Sequence, residues 1–213
     1  DSDNLSFGDG TTDSPFSISV WIKPVISAKF RIMFKYGLVG SLKEYYLQVS
    51  NGQKIQTLLH DGVATIGRNG SSTVTTNNWH HVVMTYDGSG NKNNINLYFN
   101  GSLDNSTTIS TGTYTAMSNT NEPLYIGSFQ SSTPSFAQGM IDEPAIFNST
   151  LSASDVSEIY ASGRPTPLST YSSLVSWLRC GDGDVAPILI DNGSGGNNGV
   201  MKNFTTFSTN IPT

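Results

Sequence analysis

A stretch from residue 139 to residue 163, GMIDEPAIFNSTLSASDVSEIYASG, joins an alternating strand to one short helix. In its first part, the apolar residues Ile141, Ala145 and Phe147 fall on odd positions, which predicts a strand with one buried face. Ser152 and Asp155 then have the spacing of a helix-capping box, and apolar residues follow at helical intervals. The stretch therefore predicts a strand that runs directly into a stabilised helix.

The helix, predicted near residues 153–162 and ended by Gly163 at its C-cap position, is an exception in this chain. Elsewhere the pattern has period two, as in FSISVWIK, where one face carries Phe16, Ile18, Val20 and Ile22. Dipeptides typical of hairpin turns separate such segments: Asn51-Gly52, suited to a type I′ turn, Asp61-Gly62 and Asn100-Gly101. Because no strand–helix alternation appears, the sequence predicts an all-β protein, an antiparallel β-sandwich or jelly roll.

Composition excludes several classes of function. The 213 residues suffice for one domain, and charged residues make up 13%, about half the usual share. The net charge is −5 and the basic residues are scattered, so we expect no binding to nucleic acid. No apolar run reaches roughly 18 residues, which predicts no membrane insertion. A single cysteine, Cys180, excludes an internal disulfide, and a start at Asp1 suggests a piece of a longer polypeptide.

The C-terminal part differs from the rest. Residues 165–173 are rich in proline, serine and threonine, as in a linker, and Leu174–Leu178 then predicts a strand. We divide the chain into a domain at 1–167 and a C-terminal segment at 168–213 that folds back on the sandwich, because Trp177 requires burial. The alternative is that this segment begins a following module.

Three segments resemble the laminin-G-like domains of the concanavalin A-like lectin/glucanase superfamily. LSFGDGTTDSPFSISVWIKP resembles the opening strands, WHHVVMTYDGSGNKNNINLYFNG the central hairpin, and GMIDEPAIFNSTLSASDVSEIY the closing strand and helix. They occur in the family's order and cover most of residues 5–163. The resemblance implies a concanavalin A-like jelly roll. The sequences of these segments are similar to versions of the domain in structural proteins of marine tailed phages.

The same resemblance implies a structural Ca²⁺ ion. Many members hold one where the N-terminal loop meets the closing strand, and Ca²⁺ prefers six to eight oxygen ligands. Asp142 matches the aspartate of the family's closing motif, while Asp9 and Asp13 in the loop GDGTTD match by location. The alternative is that Asp9 caps a turn and Asp142 bonds to a neighbouring backbone group.

Catalysis is not predicted. Asp142 and Glu143 are adjacent on a regular strand, which would place them on opposite faces, whereas a retaining glycosidase needs two facing carboxyl groups. His80 and His81 are adjacent in the same way and do not have the spacing of metal ligands.

Sugar recognition in this fold uses aromatic side chains on rim loops or on a sheet face. Candidates are Tyr45, Tyr46, Tyr114, Phe129 and Phe136, and of these we select Tyr45, Phe129 and Phe136 as the ligand-binding residues. The FQSSTPSF loop from Phe129 to Phe136 combines aromatic and small polar residues. Packing in the core or in a hairpin is the alternative role for each of them.

We therefore expect a non-enzymatic binding or structural module on the surface of a phage virion. Its partners would be host glycans or cell-surface polysaccharides, or other virion proteins. The alternatives are an extracellular bacterial carbohydrate-binding or adhesion module and, less favoured, a glycoside hydrolase.

Overall fold

Two six-stranded antiparallel sheets form the body of the protein. The computed structural model describes residues 3–37, 43–129, 135–202 and 206–213. The first sheet has the order β14-β13-β1-β6-β7-β8, and the second has the order β10-β2-β3-β4-β5-β9. The strands of the first sheet are β1 (Phe16–Pro24), β6 (His80–Tyr86), β7 (Ile95–Phe99), β8 (Ser102–Leu103), β13 (Gly139–Phe147) and β14 (Leu174–Trp177). Those of the second are β2 (Phe30–Tyr36), β3 (Lys43–Val49), β4 (Ile55–His60), β5 (Thr65–Gly70), β9 (Asn105–Thr111) and β10 (Tyr125–Ile126).

Smaller elements complete the fold. Two short hairpins are formed by β11 (Ser128–Phe129) with β12 (Ser135–Phe136), and by β15 (Ile188–Leu189) with β16 (Gly199–Val200). The α-helix α1 spans Ala153–Tyr160, and Asp3–Leu5 and Lys92–Asn94 form single 3₁₀ turns. None of the helices within the described residues is long and apolar enough to cross a membrane.

The period-two pattern produces the core between the sheets. Phe16, Ile18, Val20 and Ile22 on β1 are all 0% exposed and pack in one apolar cluster with residues of the second sheet. Burial of this apolar surface is the main driving force for joining the two sheets. The prediction of an antiparallel β-sandwich with one short helix is confirmed.

Helix α1 begins as its sequence predicts. The Ser152 hydroxyl accepts a hydrogen bond from the Asp155 N–H at 3.1 Å, and the Asp155 carboxylate accepts one from the Ser152 N–H at 2.8 Å. The end differs from the prediction, because the C-cap is Ala161 with φ +42° and not Gly163. Gly163, with φ +108°, closes the turn through its N–H to the Tyr160 carbonyl.

A third layer covers the outer face of the first sheet. Val156 and Ile159 of α1 pack on Ala145 and Phe147 of β13 in a second apolar cluster. Leu151, Leu168, Leu174 and Trp177 from the segments around the helix belong to the same cluster. The two sheets therefore differ, because helix and loops cover one outer face.

The C-terminal segment adds the edge strand of the first sheet. In the pairing of β14 with β13, Trp177 lies opposite Ala145. The Asp191 carboxylate accepts hydrogen bonds from the N–H groups of Trp177, Gly193 and Asn197, and so ties the following loop to that strand. Residues 174–197 thus belong to the same sandwich as β1.

One hairpin turn differs from its prediction. Asn100 and Gly101 have φ +49° and +78°, which fits the type I′ turn between β7 and β8. Between β3 and β4, however, the residue with positive φ is Gln53, whose N–H bonds to the Ser50 carbonyl. Asn51-Gly52 therefore lies in a longer loop, because β4 begins only at Ile55.

Candidate functional site

The structure contradicts the ligand-binding role predicted for Tyr45. Its side chain is 0% exposed in the core between the sheets, and its hydroxyl donates a hydrogen bond to the Leu5 carbonyl at 2.8 Å. The next residue, Tyr46, points to the opposite face of β3, which is the outer face of the second sheet. The sequence held a signal for this, since Tyr45 shares its parity with Leu47 and Val49.

Tyr46 belongs to a group of aromatic residues on that outer face. Its ring stacks on Phe34 with centroids 4.9 Å apart, and Phe129 approaches Phe34 at 5.3 Å. Tyr36 completes the group, at 5.6 Å from Tyr46 and 5.9 Å from Phe129. We call Phe34, Tyr36, Tyr46 and Phe129 the aromatic cluster. Of these, Tyr46 and Phe129 were among the candidates for sugar recognition in the sequence, and Phe34 and Tyr36 were not.

Phe136, the third predicted residue, lies on β12 opposite Ser128 and is 56% exposed. The structure therefore leaves it accessible on the hairpin that carries Phe129. Its role in ligand binding stays a prediction. The residues between the two strands of this hairpin, 130–134, lie outside the described part of the chain, and with them most of the predicted FQSSTPSF loop.

An apolar row continues from the cluster across the second sheet. In the strand pairings Tyr46 lies opposite Leu58, Leu58 opposite Gly67, and Gly67 opposite Ile109. A Cβ atom at Gly67 would lie 2.5 Å from Leu58 Cδ2, so glycine allows the leucine side chain to lie over the strand. Tyr46, Leu58 and Ile109 are each partly exposed and Gly67 between them is buried, so the row offers a low apolar surface.

A row of polar side chains runs beside it, and we call it the polar ladder. Arg31 Nη1 donates to Gln48 Oε1, Gln48 Nε2 donates to Gln56 Oε1 at 2.7 Å, and Gln56 Nε2 donates to Asn69 Oδ1 at 2.9 Å. Asn69 Nδ2 then donates to Thr107 Oγ1 at 3.1 Å. All hydrogen bonds run in one direction from β2 to β9, so each amide is held in a fixed orientation.

Two further groups lie near the Tyr36 end of the cluster. The Lys43 ammonium lies 5.3 Å from the centre of the Tyr36 ring, and His60 meets the same ring edge-on at 5.9 Å. His60 Nδ1 accepts a hydrogen bond from the Gly62 N–H, and burial lowers the pKa of the imidazole. At pH 7 the ring is therefore neutral and carries its proton on Nε2.

The predicted calcium ligands Asp9 and Asp13 already hold other groups. The Thr11 hydroxyl donates a hydrogen bond to Asp9 Oδ1, as do the N–H groups of Thr12 and Thr11, and these bonds hold the pKa of Asp9 well below its usual range. The Asp13 carboxylate accepts hydrogen bonds from the hydroxyls of Tyr86 and Tyr114, both at 2.7 Å, and from the Met117 N–H at 2.7 Å. Burial, the largest influence, raises the pKa of Asp13. Both carboxylates act as anchors for loop backbone.

Asp142 lies elsewhere along the first sheet. Asp142 lies opposite Trp21 of β1. Asp13 is bound by the Tyr86 hydroxyl, and Tyr86 lies opposite Phe16, which is five residues before Trp21 on the same strand. At the rise of an extended strand, five residues separate these positions by about 16 Å. The described residues contain no group of three or more His, Cys, Asp or Glu side chains that could hold a metal ion. The three aspartates therefore do not fit one shared Ca²⁺ ion, and calcium binding stays a prediction of the family resemblance.

The premise that Asp142 and Glu143 point to opposite faces is wrong. The register of β13 against β1 shifts between Ser19 and Trp21, and Glu143 at this bulge has φ +51°. Burial and the nearby charge of Glu143 raise the pKa of Asp142 to about 7, and burial also raises the pKa of Glu143. The indole N–H of Trp177 donates to the Glu143 carboxylate, so β14 covers this pair.

The comparisons with known proteins agree with this architecture. The model of the Concanavalin A-like lectin/glucanases superfamily matches residues 1–157, and the chain therefore belongs to that superfamily. No curated protein matches the chain in sequence.

Solved structures show the same fold at low sequence identity. A candidate carbohydrate binding protein from Bacteroides ovatus is similar with a TM-score of 0.65 and 18% identity, over 92% of this chain and 54% of that one. A sialidase CBM40 from Ruminococcus gnavus, bound to α2,3-sialyllactose, has a TM-score of 0.53 and 16% identity, over 71% of this chain and 84% of that one. A pentraxin from Limulus polyphemus has a TM-score of 0.50 and 14% identity, over 74% and 77% of the two chains. The chain thus spans about half the length of the Bacteroides protein.

Asp142 predicts a pH dependence of stability. Its pKa is about 7 in the folded protein and about 3.9 in the unfolded chain, so the folded state binds the additional proton between these values. We expect the free energy of unfolding to fall as pH rises from about 4 to about 7, by at most ~1.4 kcal/mol per pH unit from this group. Asp142→Asn should reduce that slope, whereas Asp87→Asn, at an exposed position, should not. Equal slopes for all three proteins in urea unfolding at several pH values would contradict this.

Calcium binding has a separate test. The family resemblance predicts that a chelator lowers the melting temperature of the native protein, because an ion that binds only the folded state stabilises it. Asp142→Ala would then melt at the same temperature with and without chelator. An unchanged melting temperature of the native protein on chelation would contradict the prediction.

Proposed function

We propose that this protein is a non-enzymatic glycan-binding module and that the outer face of the second sheet is its binding surface. The observation that carries the proposal is the aromatic cluster lying directly beside the polar ladder, on the sheet face opposite the one covered by α1. The superfamily and the carbohydrate-binding descriptions of two similar structures support the same class of ligand.

The chemistry of the face suits a saccharide. A sugar ring presents C–H groups on its faces and hydroxyl groups around its edge, so it needs a flat apolar platform next to oriented donors and acceptors. Tyr46, whose ring lies within 8° of parallel to the Phe34 ring, offers the platform, and Tyr36 stands edge-on beside it. The Tyr46 hydroxyl is itself fixed by a 3.2 Å hydrogen bond to Gln56 Oε1. The ladder offers amide groups whose orientation is set before a ligand arrives, which reduces the entropy cost of binding.

The acidic pair lies away from this face. Asp142 and Glu143 are on the first sheet, and the C-terminal segment packs over them through Trp177. Burial and the surrounding carboxylates also raise the pKa of the Cys180 thiol well above its usual range, which leaves it a poor nucleophile. These positions support a binding role over a hydrolytic one.

For the biological setting we propose the surface of a phage virion, where the module contacts host glycans or other virion proteins. The similarity of its sequence motifs to those of structural proteins of marine tailed phages supports this setting. An extracellular bacterial carbohydrate-binding or adhesion module is the alternative.

Removal of the platform tests the proposal. Tyr46→Ala deletes the ring that stacks on Phe34 and leaves the core contacts of Tyr45 in place, so the variant should fold. We expect its affinity for glycans that bind the native protein to fall roughly tenfold or more, since buried tyrosines are frequent binding hot spots. A glycan array followed by titration calorimetry measures the change.

Tyr160→Ala is the matched control. It also removes a stacked tyrosine, but one that packs on Trp21 at 5.9 Å on the outer face of the first sheet. We expect it to keep native glycan affinity, with its folding checked by thermal melting. Equal losses in both variants, or no glycan binding by the native protein, would overturn the proposed binding face.

A further inference from the structure

Arg31 is a positive charge held in an apolar setting on the binding face. Its Cζ atom lies 5.3 Å from the centre of the Phe34 ring and 5.4 Å from that of Phe129. Its Nε is buried and has no hydrogen-bond partner within the described residues. Burial lowers the pKa of Arg31, but a guanidinium stays protonated in proteins.

No carboxylate among the described residues neutralises this charge. Arg31 forms no salt bridge there, and besides burial its pKa is influenced by the Tyr46 phenol, which is itself neutral at pH 7 because burial raises the pKa of Tyr46. Glu44, on neighbouring β3, lies inside the sandwich, where it pairs with Lys35 at 3.0 Å. Arg31 is half-buried, and even partial removal of a charge from water without a counter-ion costs free energy, which an anion supplied from outside would recover.

The hydrogen bonds leave part of the guanidinium available. Nη1 donates to Gln48, and Nη2 has no partner among the described residues. The ladder behind Gln48 fixes the plane of the guanidinium, because each amide is held by the next one along. A fixed planar group with free N–H donors matches a carboxylate better than a tetrahedral anion, since two parallel hydrogen bonds can form in one plane.

The charge balance of the face agrees. The outward-pointing residues described on the second sheet include two cations, Arg31 and Lys43, and no aspartate or glutamate, in a chain whose net charge is −5. A cationic patch on an acidic protein attracts anionic ligands and repels neither neutral nor acidic sugars. Lys43 lies beside Tyr36, so both cations border the aromatic cluster.

We infer that this face binds acidic saccharides and that Arg31 recognises a carboxylate on the sugar while the aromatic cluster packs against its ring. The inference rests on the proposed glycan-binding function and names the ligand class for the same site. Arg31 is then the specificity-determining residue, and Gln48 is the positioning residue that holds it.

The test uses an array on which uronic-acid and sialylated glycans are printed beside their carboxyl-reduced, neutral counterparts and beside sulfated glycans. The native protein should prefer carboxylated members, with affinity that falls as salt rises. Arg31→Gln should weaken binding to them about ten- to a hundredfold, as loss of a charge-assisted hydrogen bond does, and so remove the preference over the neutral counterparts. Lys29→Gln removes one exposed positive charge from the β1–β2 connection and should have no effect.

Gln48→Glu gives a second, independent variant. It keeps Arg31 and nearly the same side-chain shape but places a carboxylate against the guanidinium, while Gln56 Oε1 keeps the Tyr46 hydroxyl as donor. Glutamate cannot donate to Gln56 Oε1 as Gln48 Nε2 does, so thermal melting must first show that the variant is folded. The folded variant should lose the preference for carboxylated glycans.

The outcomes separate the two proposals. Binding to neutral and carboxylated members alike, unchanged in Arg31→Gln, would overturn the acidic ligand class and leave glycan binding intact. Preference for sulfated glycans alone would overturn the assignment of a carboxylate. Absence of binding to every printed glycan would overturn both the ligand class and the proposed function.

Discussion

The packing of α1 against β13 determines which surface of this protein is open. Ala145 and Phe147 point outward from the first sheet, and without Val156 and Ile159 over them that sheet would expose a broad apolar face. Edge strand β14 extends the same cover through Leu174 and Trp177. Because exposing this apolar surface would cost free energy, the helix, the edge strand and the sheet stay packed together. The outer face of the second sheet carries hydrogen-bonded amides and stacked aromatic rings. A helix would need aliphatic side chains to pack against, and so no helix covers this face within the described part of the chain.

That second face works because its polar groups satisfy one another. Gln48 is almost fully buried, yet it both accepts from Arg31 and donates to Gln56, so neither end of its amide is left without a partner. A row of this kind stays ordered without a ligand, and its termini at Arg31 and Thr107 remain able to bond outward. The aromatic cluster beside it gains from the same rigidity. We regard the combination as a preorganised surface, in which recognition needs little rearrangement of the protein.

The sequence predicted the fold well because its signals are local. Period two in β1, the capping box of α1 and the Asn100-Gly101 turn all arise from residues that are neighbours in the chain. The proposed binding face was largely missed because its residues come from β2, β3, β4, β5 and β9 and meet only through strand register. Bulges made the prediction harder still. Register shifts next to Arg31 and Lys35 interrupt the in–out alternation of β2, so its sequence does not show which side chains share a face. A bulge at Glu143 likewise reversed the inference drawn for the acidic pair.

Chemical shifts of methyl groups on the two sides of the molecule test whether glycans bind to the outer face of the second sheet. Leu58 and Ile109 lie on the outer face of the second sheet, and Val156 and Ile159 lie on the buried side of α1, against the first sheet. During titration with the glycan that binds best on the array, we predict that the methyl resonances of Leu58 and Ile109 move with saturation, while those of Val156 and Ile159 stay in place. Shifts confined to Val156 and Ile159 would contradict the account.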